Sequence, residues 1–349
     1  MNDFPIFDGH NDLILRLLLG DVTADAVASG LPDGHIDKPR AQKGGFGGGM
    51  FAIFVPSPGD KAVRHDEMRN PPYDIPLPDQ IGEAQATAWT ERGFDALDDL
   101  AAAGAIRVCR TTQDVAATLP AEEMAAVIHI EGAEAIDREF EKLNDWHARG
   151  LRSLGPVWSR DTVWGHGVPF RYPSDPDTGP GLTEAGKALI RECNRLKIMI
   201  DLSHLNARGV EDVARITEAP LVATHSNAWT VCPQSRNLTD RQLAMIRDSD
   251  GIVGINFASA FLRPDGKMDS DFELDILLRH FDHLINGLGE ERVGLGSDFD
   301  GALVPDSIGD CAGLPNLLTA LRSFGVDDGL MAKITHVNWL RVLRKTWGE

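Results

Sequence analysis

Short apolar runs alternate with amphipathic stretches along most of the 349-residue chain. Eight of the runs predict strands, over residues 4–7, 50–55, 126–131, 151–157, 198–202, 220–224, 251–257 and 293–296. Several are rich in Val and Ile with little polar alternation, as strands covered on both faces should be. Between them the pattern predicts helices over residues 80–103, 184–197, 207–217, 239–248, 271–287 and 329–345, with Thr183 placed to cap the second. Eight strands alternating with helices predict an α/β fold, a closed (β/α)8 TIM barrel in one domain over residues 1–349.

Two stretches break the rhythm. Residues 56–78 and 164–181 are rich in Pro, Gly and Asp, and each follows a predicted strand. Both are expected to lie over the strand ends as pocket loops. The glycine-rich run "KGGFGGGM" does not spell GxGxxG and precedes a strand, so it is read as a tight loop and not a dinucleotide site.

Composition narrows the functions. A formal charge of −19 argues against nucleic acid, whose phosphates would be repelled, and suits cationic ligands such as metal ions. No run approaches the roughly 18–20 apolar residues that cross a bilayer, and the first residues, "MNDFPIFDGH", lack a signal-peptide pattern. Four cysteines, far apart and without a CxxC pair, suit the reduced thiols of a cytoplasm. A soluble cytoplasmic protein with no membrane or nucleic-acid partner is the expectation.

In a barrel the chemistry collects at the C-terminal ends of the strands. The first predicted strand runs into "DGHND", with His10 and Asp12 two residues apart and so on one face. The third ends at Glu131, the fifth leads to His204, the sixth to His225 and the eighth to Asp298. Singly, each is an ordinary polar residue after a strand. Together, three histidines and three carboxylates share one rim, whereas His147, His280, His283 and His336 are scattered over helices. Imidazole and carboxylate without thiolate suit Zn²⁺, with Mn²⁺, Co²⁺ or Fe²⁺ as weaker candidates. Six donors exceed what one catalytic zinc uses, but two ions about 3.5–4 Å apart sharing one carboxylate would use the set.

The ordered motifs "DGHND", "HIEGAEAI", "DLSH", "THSNA", "RNL", "GSDFDG" and "NWLRVL" resemble the membrane (renal) dipeptidase family of zinc peptidases, among the amidohydrolase-like barrels. The resemblance covers nearly the whole chain. It implies that His10 and Asp12 bind one zinc, His204 and His225 the other, and that Glu131 bridges them. It also implies that Asp298 is the acid/base, that Arg236 grips the substrate's terminal carboxylate, and that a metal-bridging hydroxide attacks the peptide bond of a dipeptide, a D-residue being accepted at its C-terminal side. A homodimer is implied by the family alone.

One position departs from that family. Trp158 stands where relatives carry a histidine that helps hold the tetrahedral intermediate, so it is expected in the substrate pocket. His129, on the face of Glu131, and His166, in "WGHGVPF", are the candidate catalytic replacements. Ala258 stands where relatives tend to place a bulky aromatic, which implies a roomier pocket. A binuclear zinc dipeptidase is the leading expectation. The alternatives are hydrolysis of a related amide (an N-acyl amino acid or a lactam) and a metal-binding pseudo-enzyme.

Overall fold

Residues 124–131 set the pattern of the molecule. Ala126, Ile128 and Ile130 join the large outer core under the helices, while Ala125 and Val127 join a separate inner cluster. His129 and Glu131 continue that inner face toward the C-terminal end of the strand. An inner column that begins apolar and ends in ionisable groups is what a barrel with its site at one mouth requires.

The computed structural model describes residues 4–57 and 66–349. The barrel strands are β1 (Ile6–Asn11), β2 (Phe46–Phe54), β3 (Met124–Glu131), β4 (Leu151–Gly155), β5 (Met199–Ile200), β6 (Val222–Ala223), β7 (Ile252–Ile255) and β8 (Val293–Leu295). All pair in parallel in the order β5-β4-β3-β2-β1-β8-β7-β6. A parallel bridge between Asp201 and Val222, with Leu202 N–H donating to the Val222 carbonyl at 2.8 Å, joins the two ends and closes the ring. The fold is the (β/α)8 barrel that the alternation predicts, and each predicted strand overlaps one of its eight.

Differences lie at the margins and have local causes. Ile106–Val108 adds a short strand beside β3, below β4. The glycine run is not a loop, because β2 begins at Phe46 and contains Gly47, Gly48 and Gly49. A Cβ on these three would overlap the carbonyls of Leu119, Ala125 and Asp8 in turn. Glycine therefore lets three backbones approach. The two pocket loops are not wholly irregular either: Tyr73–Ile75 and Phe170–Tyr172 form an antiparallel pair that staples them together. Residues 58–65 of the first loop lie outside the described residues.

Helices over Glu83–Ala102, Glu184–Leu196, Ala207–Ile216, Asp240–Asp248 and Asp275–Leu288 match the amphipathic stretches, and Thr183 caps its helix by accepting from Gly186 N–H at 3.0 Å. The pattern does not predict others, among them Leu13–Leu19, Thr112–Thr118, Glu141–Arg149 and Leu314–Phe324. The last predicted helix is interrupted by a π turn at Lys333–Val337 before it resumes as Asn338–Trp347. That break aims Trp339 into the barrel floor, where it packs with Phe7, Met50, Val127 and Ile252. Its ring occupies space left open by Gly9, Gly254 and Gly294, where a Cβ would lie 2.5–2.9 Å from the indole. The indole N–H donates to the Leu295 carbonyl at 3.0 Å.

Truncating a fully buried tryptophan leaves a cavity and strands that carbonyl. Trp339→Ala is expected to destabilise the protein by about 3–5 kcal/mol, read as a lower denaturant midpoint. A loss under about 1 kcal/mol would show that the floor does not depend on this plug.

Candidate metal centre

The exits of the strands bring six donors together. His10 lies near the end of β1 with Asp12 just beyond, Glu131 closes β3, and His204, His225 and Asp298 follow β5, β6 and β8. One carboxylate oxygen is the focus. Glu131 Oε1 lies 3.1 Å from His204 Nε2, 3.3 Å from His225 Nε2 and 3.7 Å from His10 Nε2. His10 Nε2 is 3.4 Å from Asp12 Oδ2, and the His204 and His225 Nε2 atoms are 3.2 Å apart. Within this set, Glu131 with His204 and His225, His10 with Asp12 and Glu131, and His10 with His225 and Asp298 each converge within 4.8 Å.

Local backbone choices aim these groups. His204 and Asp298 hold φ of 68° and 61°, left-handed values uncommon outside glycine. Asp298 is held there by its N–H to the His10 carbonyl at 3.0 Å and by Asn256 Nδ2 donating to its Oδ2 at 2.8 Å. The Asp8 carboxylate takes the Ser297 N–H at 2.6 Å and its hydroxyl at 2.7 Å, tying β1 to the exit of β8. Gly301 is required by contact, since a Cβ there would strike the carboxylates of Asp12 and Asp298.

The electrostatics are those of a site short of positive charge. Burial opposes charging His10, yet Glu131, Asp12 and Asp298 together raise its pKa to about 10. Burial, reinforced by Asp12 and Asp298, pushes Glu131 up to about 8 against the opposing pull of His10. Burial also raises Asp298 and holds His204 and His225 well below the usual histidine range. Both ring nitrogens of His10 and Oε1 of Glu131 lack a hydrogen-bond partner. Unsatisfied buried groups of this kind are rare. Divalent cations fit this donor set, because they would take the free imidazole lone pairs and relieve the repulsion among the carboxylates.

Second partners fix which lone pair each ring presents. Thr224 Oγ1 donates its only proton to Asp201 Oδ2 at 2.6 Å, so His225 Nδ1, 2.8 Å from that hydroxyl, must carry a proton itself. Nε2 is then left with its lone pair facing Glu131. Asp201 Oδ1 accepts the N–H groups of Ser203 and Thr224, at 3.0 and 2.9 Å, which holds the carboxylate in place. His204 Nδ1 meets Ser159 Oγ at 2.8 Å. Sequence reasoning missed Asp201, Ser159 and Asn256. Asp201 and Thr224 stand beside motif histidines in "DLSH" and "THSN", and that adjacency was the available signal.

A cavity of about 580 Å³ opens over the donors. Glu131, Asp298 and His204 form its base, Phe54, Trp158, Phe170 and Phe261 an aromatic wall, and Arg16, Asp21, Asp33, His35 and Asp300 a polar flank. Ala258 also lines it. The other site residues of the sequence reading lie elsewhere. His129 is buried beneath the donors, its Nδ1 2.8 Å from Ser153 Oγ and its Nε2 3.6 Å from Asp201, and burial lowers it to about 3. His166 pairs with Asp161 at 3.1 Å and is not part of the cavity lining. Arg236 is buried behind Phe261 at 5.9 Å, donating to Ser226 Oγ and the His225 carbonyl at 3.1 Å each. Its Nε has no protein partner, and each terminal nitrogen keeps a second N–H beyond the bond it makes.

Comparison with known proteins agrees with this architecture. The chain matches the membrane dipeptidase family (peptidase family M19) over residues 1–347. A crystal structure of a metallopeptidase from Rhodobacter sphaeroides, bound to a phosphinate mimic of the dipeptide L-Ala-D-Ala, superposes with a TM-score of 0.96 at 52% identity, covering 99% of each chain. An uncharacterized protein encoded in the pqqA 5′ region of Klebsiella pneumoniae is 50% identical over 71% of this chain and 91% of its own length. Dipeptidase 3 of the mouse is 26% identical over 99% of this chain and 65% of its own. The likeness spans nearly the whole chain, and the chain belongs to the membrane dipeptidase family of metallopeptidases, hydrolases of the peptide bond.

Proposed function

We propose that the chain is a binuclear zinc dipeptidase. The observation that carries this reading is the single Glu131 oxygen surrounded by three imidazole nitrogens, with Asp12 and Asp298 alongside. His10 and Asp12 would hold one ion, His204 and His225 the other, and Glu131 would be shared. Two divalent ions bound there supply Lewis acidity and a water activated at neutral pH. Asp298, fixed by Asn256, takes the proton of the attacking water and passes it to the leaving amine. Arg236 contributes positive charge from behind the Phe261 ring toward the substrate's carboxylate. Asp21, Asp33 and Asp300 on the polar flank attract a free amino terminus. A pocket that reads both ends of its substrate limits it to two residues. The dipeptide mimic bound by the Rhodobacter relative supports that class, including a D-residue at the C-terminal side. His129 supports the base of the centre through Asp201, and His166 steadies its loop through Asp161. Four free, buried cysteines are consistent with a reducing cytoplasm, and among the described residues no helix is long and apolar enough to cross a membrane.

Three outcomes are expected. Zinc-loaded protein should release amino acids from L,L- or L,D-dipeptides, and N-acetylation of the substrate should cut turnover at least about 100-fold. Faster cleavage of the N-acyl compounds would favour the related-amide reading instead. Elemental analysis should find two metals per chain, falling below two in Glu131→Gln, and full occupancy in that variant would deny the bridging role. Asp298→Asn should keep its metals while losing about 10²–10⁴-fold in kcat, the usual contribution of a proton-transfer group. Unchanged kinetics would remove Asp298 from the reaction.

A further inference from the structure

One indole in the cavity wall has an N–H without an acceptor. Six of the seven tryptophans donate theirs to a protein oxygen at 2.7–3.4 Å. Trp158 is the exception among the described residues. Its N–H is not sealed in the interior either, because the half-buried ring lines the cavity with Glu131, His204 and Asp298. A partnerless N–H that water can reach costs the folded protein little and is free for a ligand.

The ring is held firmly. Phe54 packs on it with centroids 4.8 Å apart, Phe170 stands edge-on at 5.7 Å, and the Arg160 guanidinium lies 5.5 Å from it. Arg160 is fully buried, paired with Glu134 at 2.8 Å and donating to Ser57 Oγ and the Val55 carbonyl at 2.7 Å each. Between the two, Ser159 bonds His204 Nδ1. The turn that orients a metal ligand thus also sets an indole beside it, 5.7 Å from the His204 ring between centroids. Two other side-chain donors of the lining, Arg16 and His35, are partly committed. Arg16 is committed to Asp33 and Asp300, and His35 Nδ1 accepts the Asp300 N–H, which leaves Nε2 as its donor.

Given the dipeptidase reading, we propose that the Trp158 N–H donates a hydrogen bond to the peptide oxygen as that oxygen gains negative charge. In that step the water oxygen bonds to the carbonyl carbon and the π pair moves onto the peptide oxygen. Collapse then breaks the C–N bond, with the amine taking its proton from Asp298. The indole keeps its proton throughout. A preorganised donor of this kind strengthens in the transition state, so it acts on kcat.

Trp158→Phe keeps the ring and deletes the donor. In zinc-loaded protein it should lower kcat about 100-fold with KM within about twofold, weaken binding of a phosphinate dipeptide mimic to a similar degree, and leave metal content and thermal midpoint unchanged. Trp158→His, which restores a ring N–H, should recover part of the loss. Unchanged kcat and phosphinate affinity would overturn the proposal, as would a rise in KM alone, or a loss seen in His35→Gln but not in Trp158→Phe. The wild-type protein gives a readout independent of any variant: in ¹⁵N-labelled enzyme the Trp158 indole resonance should move downfield when the phosphinate is added. A bound phosphinate with that resonance unmoved would refute the contact. Wild-type protein that shows the shift but cleaves no dipeptide would remove the dipeptidase reading and leave the N–H contact standing.

Discussion

Three imidazole nitrogens within 3.7 Å of one buried carboxylate oxygen form an arrangement that protons alone do not resolve. Charging His204 and His225 is opposed by burial, and ionising Glu131 is opposed by burial and by Asp12 and Asp298, with His10 pulling the other way. Cations remove both conflicts at once. Much of the surrounding structure serves to hold this unfavourable set in place: left-handed backbone at His204 and Asp298, the Asp8–Ser297 tie between β1 and the exit of β8, and the relay from Asp201 through Thr224 to His225. Strain and unmet polar groups gathered at one mouth are the usual mark of a functional site.

The barrel provides the stiffness that this needs. Along β3 its inner column changes character, from the apolar floor closed by Trp339 to the ionisable rim, so the centre sits on the ends of packed strands. Glycines in β1, β2, β7 and β8 mark where backbones or the Trp339 ring come too close for a side chain. Space in the floor, far from the chemistry, is thereby linked to ligand geometry at the mouth.

Periodicity and motif position made the barrel and the six donors legible, because strand burial and strand ends leave direct traces in the order of residues. Tertiary constraints left weaker traces. Glycines 47–49 read as a loop, since nothing local reveals that three neighbouring carbonyls exclude a Cβ there. The break at Lys333–Val337 was hidden because the apolar spacing of Met331, Ile334, Trp339 and Val342 runs through it, and Asn338 side-chain bonds to Glu290 and Val293 belong to distant segments. Strand alternation and the glycine-flanked "WGHGVPF" loop brought His129 and His166 forward as replacements for a missing histidine, and their partners, Ser153 for the first and Asp161 for the second, could not be read from the sequence. Hydrogen-bond partners of this kind emerge only once the chain is closed.

Crystals of the zinc-loaded protein, measured on both sides of the zinc absorption edge, probe the centre most directly. The proposed binuclear centre predicts two anomalous peaks about 3.5–4 Å apart, one beside His10 and Asp12 and the other beside His204 and His225, with the Glu131 carboxylate between them. One peak, or two that Glu131 does not touch, would contradict it.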